Sequence, residues 1–259
     1  MCGRYSLLSA PEALGRRFDA TVPAAYEPRY NAAPGQLLPV VTGDDPATIT
    51  LKQWGLVPSW ADDEFEGLIN ARAETIAEKP SFREAYERRR CLVPADGFYE
   101  WPSVDGHTQP VRVTLPDGEP FAMAGIHERW KPDTTQAGLS DFTMDAGLAG
   151  DHDVAVETFA VVTTEPSEFV APLHDRMPVV LSPEEEAAWL REPSPDLLDP
   201  YDGDLRAYPV STRVNDPAND SPAVVEPVPV PDVDLGVELA DDVDPGATGA
   251  RPDTDADPR

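Results

Sequence analysis

Seven short runs rich in Val, Thr and aromatic residues dominate residues 1–215, and they are not separated by regular helical segments. They cover 37–42, 48–54, 97–101, 111–115, 121–126, 158–164 and 178–181. Such runs are typical of β-strands. A doubly wound parallel sheet needs a helix between consecutive strands, and that alternation is missing here. The sequence therefore predicts an α+β fold: a single domain with a curved, mainly antiparallel, barrel-like sheet and a few flanking helices.

Three segments carry helix start signals of the capping-box type, in which a serine is followed three residues later by a glutamate. The pairs are Ser9 with Glu12, Ser81 with Glu84, and Ser182 with Glu185. The last of these also has a proline at the first helical position, which favours a helix start. We expect one helix after each serine.

The composition changes after residue 215. Residues 216–259 are rich in Pro, Asp and small residues and contain no aromatic residue. Such a segment buries too little apolar surface to offset the entropy lost on ordering. We therefore predict one compact domain over 1–215 and a disordered acidic tail over 216–259. The segment 141–157 is interpreted as a polar surface insertion.

The chain is strongly acidic, with a formal net charge of -28 and lysine only at Lys52, Lys79 and Lys131. A carboxylate surface with little lysine suits a salt-rich cytoplasm, where screening removes the self-repulsion. A halophilic protein is one interpretation, and an ordinary acidic protein with an acidic tail is the other. Such a charge also repels nucleic acid, so any DNA contact needs a local cationic surface.

Several classes of protein are disfavoured by what the sequence lacks. Two cysteines make neither a disulfide framework nor a metal cluster, and no HExxH, CxxC or GxSxG pattern occurs. No signal-peptide pattern or membrane-spanning apolar run is found. We expect a cytoplasmic monomer with no cofactor, no metal and no membrane partner.

Cys2 follows the initiator methionine directly. Removal of Met1 would leave Cys2 with a free α-amine and a thiol on adjacent carbons. The amine, with a reference pKa of about 8, can form a Schiff base with an aldehyde, and the thiol can then close a thiazolidine ring. The alternatives are an N-terminal-nucleophile hydrolase, in which the amine is the base for the thiol, and a cysteine with no role at this position.

Other polar residues lie where apolar ones are expected. In "INARAET", Asn70, Arg72 and Glu74 would share one face of an extended segment. Glu100 lies in the aromatic run "ADGFYEW", where desolvation would raise its pKa and suit it to proton transfer. An edge-strand salt bridge is the alternative for Glu100. His174 is followed by Asp175 and Arg176, and it is either catalytic or structural.

Taken together, the motifs "MCGRYS", "NAAPGQ", "WGLVPSW", "INARAET", "KPSFREAYERRRCLVPADGFYEW" and "LHDRMPVVL" occur in this order. This set resembles the SOS-response-associated peptidase (SRAP) family from Cys2 to about residue 190. The resemblance implies recognition of abasic sites in single-stranded DNA. It also implies a covalent thiazolidine crosslink through Cys2, which shields the lesion during the DNA damage response.

The resemblance also implies roles for individual residues. Cys2 would be the nucleophile, Asn70 would position the N-terminus and the sugar, Glu100 would shuttle protons, and His174 would be an acid/base near the sugar oxygen. Residues implied in DNA binding or in organising the site are Arg4, Pro34, Trp60, Arg72 and Arg176. We expect a local arginine groove inside an acidic shell.

Two features depart from the family pattern or stand outside it. His127 occupies a position where many relatives have Trp, so this lining of the site is expected to differ. Cys91 begins an apolar run and is interpreted as a core residue.

The word peptidase in the family name refers to removal of residues before the cysteine, for which an aminopeptidase suffices here. A cysteine peptidase with an N-terminal nucleophile and a non-covalent reader of single-stranded or modified DNA stay open as alternatives.

Overall fold

The structure, a computed structural model, describes residues 2–104, 106–131, 155–229 and 235–240. The strands in this part are β1 (Tyr5–Leu7), β2 (Arg29–Ala32), β3 (Leu37–Thr42), β4 (Ile49–Trp54), β5 (Asn70–Arg72), β6 (Arg90–Ala95), β7 (Gly97–Glu100), β8 (Ser103–Val104), β9 (His107–Thr108), β10 (Val111–Thr114), β11 (Phe121–Trp130), β12 (Val156–Thr164), β13 (Met177–Pro178), β14 (Val180–Leu181) and β15 (Arg206–Pro209). The α-helices are α1 (Pro11–Phe18), α2 (Arg83–Arg88) and α3 (Pro183–Arg191). Short 3-10 helices cover Ala73–Thr75, Pro195–Leu197, Thr212–Asn215 and Pro222–Val224.

Five strands close into a barrel. The ring runs β12, β4, β3, β6 and β11, and β11 pairs again with β12. Every pairing in the ring is antiparallel except β12 with β4, which is parallel. The short strands β13, β14 and β5 pair with β12 or β11 beyond the ring. The predicted α+β fold with a mainly antiparallel, barrel-like sheet is confirmed.

A second sheet has the order β15-β10-β7-β1-β2 and is antiparallel throughout. In this sheet β1 lies between β7 and β2, so the N-terminal strand has neighbours on both sides. A shared hydrophobic cluster joins this sheet to the barrel and includes Cys2, Tyr5, Trp54, Phe98 and Phe159. The segment that begins at Cys2 is therefore anchored in the core.

Each predicted strand run coincides with an observed strand to within two residues at either end, apart from two larger differences. The run at 121–126 continues to Trp130, because β11 is central and pairs with β6 along one side and β12 along the other. The run at 178–181 is divided into β13 and β14. Between them, the backbone N–H of Val179 donates to Val162 and its carbonyl accepts from Ala124.

Only one of the three predicted capping boxes forms. In α3, the side chains of Ser182 and Glu185 make the reciprocal bonds of a capping box. The other two helices begin one residue later than predicted, after Ala10 and after Phe82, without a side-chain cap. In α1 the first helical residue is Pro11, whose fixed φ and missing N–H suit that position. Within the described ranges, no helix is long and apolar enough to cross a bilayer.

The segment predicted as a disordered tail is in part packed onto the domain. Three of its apolar side chains are buried, namely Val224, Val225 and Leu235. The carboxylate of Asp220 accepts two backbone N–H groups of β2 and pairs with Arg29 at 3.0 Å. The disorder predicted from residue 216 is therefore corrected for 216–229 and 235–240. Residues 230–234 and 241–259 lie outside the described residues, as does 141–154 of the predicted insertion, whose last two residues begin β12.

Candidate active site around the N-terminus

Cys2 lies just before β1 and is completely buried. Its surroundings are the aromatic core that includes Tyr5 and Trp54, whose ring centroids are 5.2 Å apart. Burial, followed by the nearby Glu100 carboxylate, raises the pKa of the Cys2 thiol to about 12. The thiol is therefore protonated at neutral pH, and no reactive thiolate is present before a substrate arrives.

Asn70 holds the backbone of Cys2. The Asn70 Nδ2 donates to the Cys2 carbonyl at 2.8 Å. Because a carbonyl can only accept, this bond fixes the orientation of the amide and directs its Oδ1 elsewhere. That Oδ1 is buried and has no hydrogen-bond partner. The strand that carries Asn70 is held by its pairing to β12 and by the Trp54 indole N–H, which donates to the Ile69 carbonyl at 2.9 Å.

Glu100 ends β7, and the antiparallel pairing of β7 with β1 brings it back to the start of β1. It is only 2% exposed, and its Oε1 is buried without a partner. Burial raises the pKa of Glu100 to about 8; the positive N-terminus opposes this rise and Asp175 adds to it. The predicted desolvated carboxyl group with a raised pKa is confirmed. The alternative of an edge strand is wrong, because β7 lies between β1 and β10.

His174 lies in the segment between β12 and β13 and is partly exposed. Its Nδ1 accepts the backbone N–H of Arg176 at 2.9 Å, so the neutral ring carries its proton on Nε2. Burial, followed by the positive N-terminus, lowers the pKa of His174, and Asp175 opposes the shift. The charge of the N-terminus affects the pKa of both His174 and Glu100, so both residues lie within its electrostatic reach.

Arg4 uses its guanidinium within the protein. Its Nη1 donates to the Asn31 side chain and to the Val214 carbonyl, both at 2.8 Å. The Asn31 amide in turn donates to three carbonyls of 214–219. The guanidinium also lies 5.9 Å from the centre of the Trp101 ring. Of the two roles implied for Arg4, these contacts favour organising the site.

Arg176 is likewise engaged, whereas Arg72 is exposed. The Arg176 guanidinium binds both carboxylate oxygens of Glu74, one of them at 3.0 Å, and donates to the Thr163 carbonyl at 2.7 Å. Glu74 lies in a 3-10 helix, so the predicted extended pattern of "INARAET" ends at Arg72. Arg72 therefore presents its charge at the surface two residues from Asn70.

Trp60 stands on a loop that projects from the barrel between β4 and β5. It is 62% exposed, and its ring contacts Phe65 edge-on at 6.0 Å. At the base of the loop the backbones of Gly55 and Gly67 are in close contact, because a Cβ on Gly67 would lie 2.7 Å from the Gly55 carbonyl oxygen. Pro34 is also exposed, in the turn before β3. Both residues predicted to contact DNA bases are thus accessible.

His127 is buried with a separate group of basic residues. Burial, followed by Lys52 and Arg89, lowers the pKa of His127 to about 3. Its Nε2 is buried without a partner, and Lys52 pairs with the Glu157 carboxylate. We find no support for His127 as part of the lining around Cys2. The interpretation of Cys91 as a core residue agrees with its complete burial in β6.

A buried ionic group under β1 was missed by the sequence reasoning. The Arg112 Nη2 lies 2.6 Å from the Asp96 carboxylate, and Ser6 Oγ donates to the same oxygen at 2.7 Å. Arg112 also donates to the Tyr208 hydroxyl at 2.6 Å. This group fixes the side of β1 that faces away from the core cluster of Cys2. The available signal was a charged residue, Arg112, within the apolar run "VRVTL".

Comparisons with known proteins relate the whole domain to one family. The family model described as SOS response associated peptidase (SRAP) matches residues 1–217. The protein named abasic site processing protein YoqW, from Bacillus subtilis (strain 168), is 40% identical over 240 residues, which are 87% of this chain and 99% of that protein. The abasic site processing protein YedK of Escherichia coli (strain K12) is 32% identical over 199 residues, covering 74% of this chain and 80% of that protein. A crystal structure of a protein from Bacteroides thetaiotaomicron superposes with a TM-score of 0.71 at 26% identity, over 88% of this chain and 100% of that one.

Proposed function

Because the chain belongs to the SOS response-associated peptidase (SRAP) family, we propose that it processes abasic sites in single-stranded DNA by a covalent crosslink through Cys2. The observation that carries the proposal is a pair of buried, unpaired acceptors, Asn70 Oδ1 and Glu100 Oε1, around the start of the chain. Buried acceptors without partners are costly, and the α-amine of a processed Cys2 supplies the missing donors. The relatives are named for abasic site processing, which supports an abasic site as the substrate.

The proposed reaction begins with the amine rather than the thiol. After Met1 is removed, the Cys2 amine attacks the aldehyde carbon of the ring-opened abasic sugar and forms a carbinolamine. Loss of water gives an iminium ion, and the Cys2 sulfur then adds to the same carbon. The thiol proton leaves as the ring closes, so aldehyde and aminothiol give a thiazolidine and one water. This order suits a thiol whose pKa is about 12 and which is therefore uncharged until the iminium forms.

Glu100 is suited to both proton transfers. With a pKa of about 8, it is mainly protonated at neutral pH and can donate to the departing hydroxyl of the carbinolamine. The resulting carboxylate can then accept the thiol proton. Asn70 would hold the amine through its Oδ1, and His174 would donate from Nε2–H to the sugar oxygen as the sugar ring opens. The roles of Asn70 and Glu100 follow from their buried oxygens without partners, and that of His174 from its ability to donate and accept a proton.

The DNA contacts are proposed at the exposed residues of the same region. Arg72 would bind a phosphate, and Trp60 and Pro34 would support stacked bases, as is common for single strands. Because the chain carries a net charge of -28, phosphate attraction is confined to this small surface. Binding that depends on few phosphates falls gently with salt, and stacking and covalent capture then hold the strand.

The test uses mature protein and a uracil-containing single-stranded oligonucleotide treated with uracil glycosylase, over a range of salt concentrations. A denaturing gel should show a slow band, and intact mass should equal protein without Met1 plus DNA minus one water. Cys2→Ala should abolish the band. Cys91→Ala is the matched control, because it removes the other buried cysteine and should leave the band in place.

Two outcomes would count against the proposal. Mature protein that forms no band at any salt concentration, but still retards the same DNA on a native gel, would indicate a non-covalent reader. Thiol-dependent release of a fluorophore from a peptide, without a DNA band, would indicate a cysteine peptidase instead. A duplex carrying the same lesion, run in parallel, tests the preference for single strands.

A further inference from the structure

One nitrogen of His174 contacts two groups that need opposite protonation states. The backbone N–H of Arg176 donates to Nδ1 at 2.9 Å, which requires a lone pair there. The Asp175 Oδ1 lies 2.9 Å from the same Nδ1. A carboxylate only accepts, so that contact is a hydrogen bond only when Nδ1 carries a proton.

The two contacts therefore stabilise different forms of the ring. In the neutral form, Nδ1 accepts from Arg176 and the proton sits on Nε2. When a second proton is added, Nδ1–H donates to Asp175 and the pair becomes charge-assisted. Asp175 thus favours the imidazolium, and the Arg176 backbone favours the neutral ring. A histidine that acts in both directions of a proton transfer needs both forms to be accessible.

Asp175 also acts on Glu100. Its negative charge adds to the rise in the Glu100 pKa, after burial and against the positive N-terminus. The charged groups that face His174 are the N-terminus, Asp175 and Arg176. The Arg176 charge is already paired with Glu74, at 3.0 Å for one of the two contacts. Asp175 is therefore a carboxylate that influences both acid/base groups of the site.

We propose that Asp175 is a positioning residue that keeps His174 in a proton-carrying form for crosslink formation and reversal, with an effect that depends on salt. The proposal rests on the function proposed above. Asp175 is 88% exposed, so its field reaches Glu100 partly through solvent. The screening length shrinks from about 10 Å at 0.1 M salt to about 3 Å at 1 M. Salt should therefore remove its effect on Glu100 and weaken its effect on His174.

The test is Asp175→Asn, which keeps the shape and an acceptor oxygen but removes the charge. The pH–rate profile of crosslinking should move to lower pH by roughly 0.5 unit at low salt, which is the size expected for an exposed charge pair. At a fixed pH on either sloping arm of the profile, this shift corresponds to about a threefold change in rate. Most of this shift should vanish at about 1 M salt. Asp175→Glu should restore the profile, and Glu168→Gln, an exposed carboxylate of the same segment, should leave it unchanged.

An NMR titration of His174 in the free protein completes the test. Asp175→Asn should lower the His174 midpoint at low salt in the same direction as the rate profile. An unchanged midpoint and profile would overturn the proposal, and so would an equal shift at both salt concentrations, since that indicates a structural change. If the parent protein forms no crosslink at all, the proposed function fails. The titration alone then decides whether Asp175 controls His174.

Discussion

Glu100→Gln should make the protein more stable at neutral pH while slowing its chemistry. The Glu100 pKa is raised from 4.5 to about 8 in the folded state, mainly by burial. Between these two values the unfolded chain loses the proton and the folded chain keeps it. The free energy of unfolding therefore falls as the pH rises through this range, and the fall is complete above the folded pKa.

The size of this effect follows from the two pKa values. Proton linkage through Glu100 lowers the parent's free energy of unfolding by about 1 kcal/mol at pH 5, about 3 kcal/mol at pH 7 and about 4 kcal/mol at pH 8. Glutamine has the same shape and no such titration. The difference between variant and parent should therefore grow by about 2.5 kcal/mol between pH 5 and pH 7 in favour of Glu100→Gln.

The assay is denaturant unfolding of both proteins at the two pH values, with crosslinking measured on the same samples. The variant should unfold at higher denaturant at pH 7 and crosslink slowly, because an amide cannot donate and then accept a proton in the same way. The control is Glu165→Gln, an exposed carboxylate whose loss should change neither property. A variant less stable than the parent at pH 7 would mean that Glu100 is ionised and paired in the folded protein. A normal crosslinking rate would remove Glu100 from the mechanism.

Three further predictions concern the supports of the site. Asp96→Asn leaves Arg112 buried without its counter-charge and should lower the free energy of unfolding, measured with denaturant, by about 3–5 kcal/mol. Adding Arg112→Met to the same chain should recover much of this loss. Gly67→Ala places a Cβ 2.7 Å from the Gly55 carbonyl oxygen, so it should displace the loop that carries Trp60. Binding of single-stranded DNA, measured by fluorescence anisotropy, should then be weaker. Unaltered affinity would argue against a role for that loop. Because the His127 pKa falls from 6.5 to about 3 on folding, its contribution to the free energy of unfolding is full above pH 6.5 and declines as the pH falls. The loss should be about 2 kcal/mol by pH 5, and His127→Leu should remove this dependence.

The strands were predictable because their signal is local. The run at 37–42 matches β3, since its residues form a mostly buried pleated strand whatever its partner. A barrel-like sheet was predicted, but the pairing that closes it was not, because this parallel pairing joins Phe159 to Trp54, which are far apart in sequence. Capping failed at α1 and α2 because a proline start and buried aromatic packing decided the first turn instead of a serine.

The centre of the site was predictable for a different reason. Cys2 and Glu100 are identified by their chemistry, an aminothiol precursor and a carboxylate within an aromatic strand. Their neighbours in space could not be derived in this way. The Arg4 guanidinium finds its acceptors on Asn31 and Val214, and Arg176 finds Glu74, so these contacts depend on the completed fold.

The contact of Arg4 with Val214 has a consequence for how the protein is made. During synthesis the residues around Cys2 leave the ribosome long before 214–219, which supply the acceptors for Arg4 and Asn31. The bonds that Arg4 and Asn31 make to this segment therefore form only after nearly the whole domain has emerged. An aminopeptidase that removes Met1 would act on the nascent chain, because in the finished fold Cys2 is completely buried. Removal of Met1 therefore competes with folding of the domain. Protein that folds before Met1 is removed would keep its methionine.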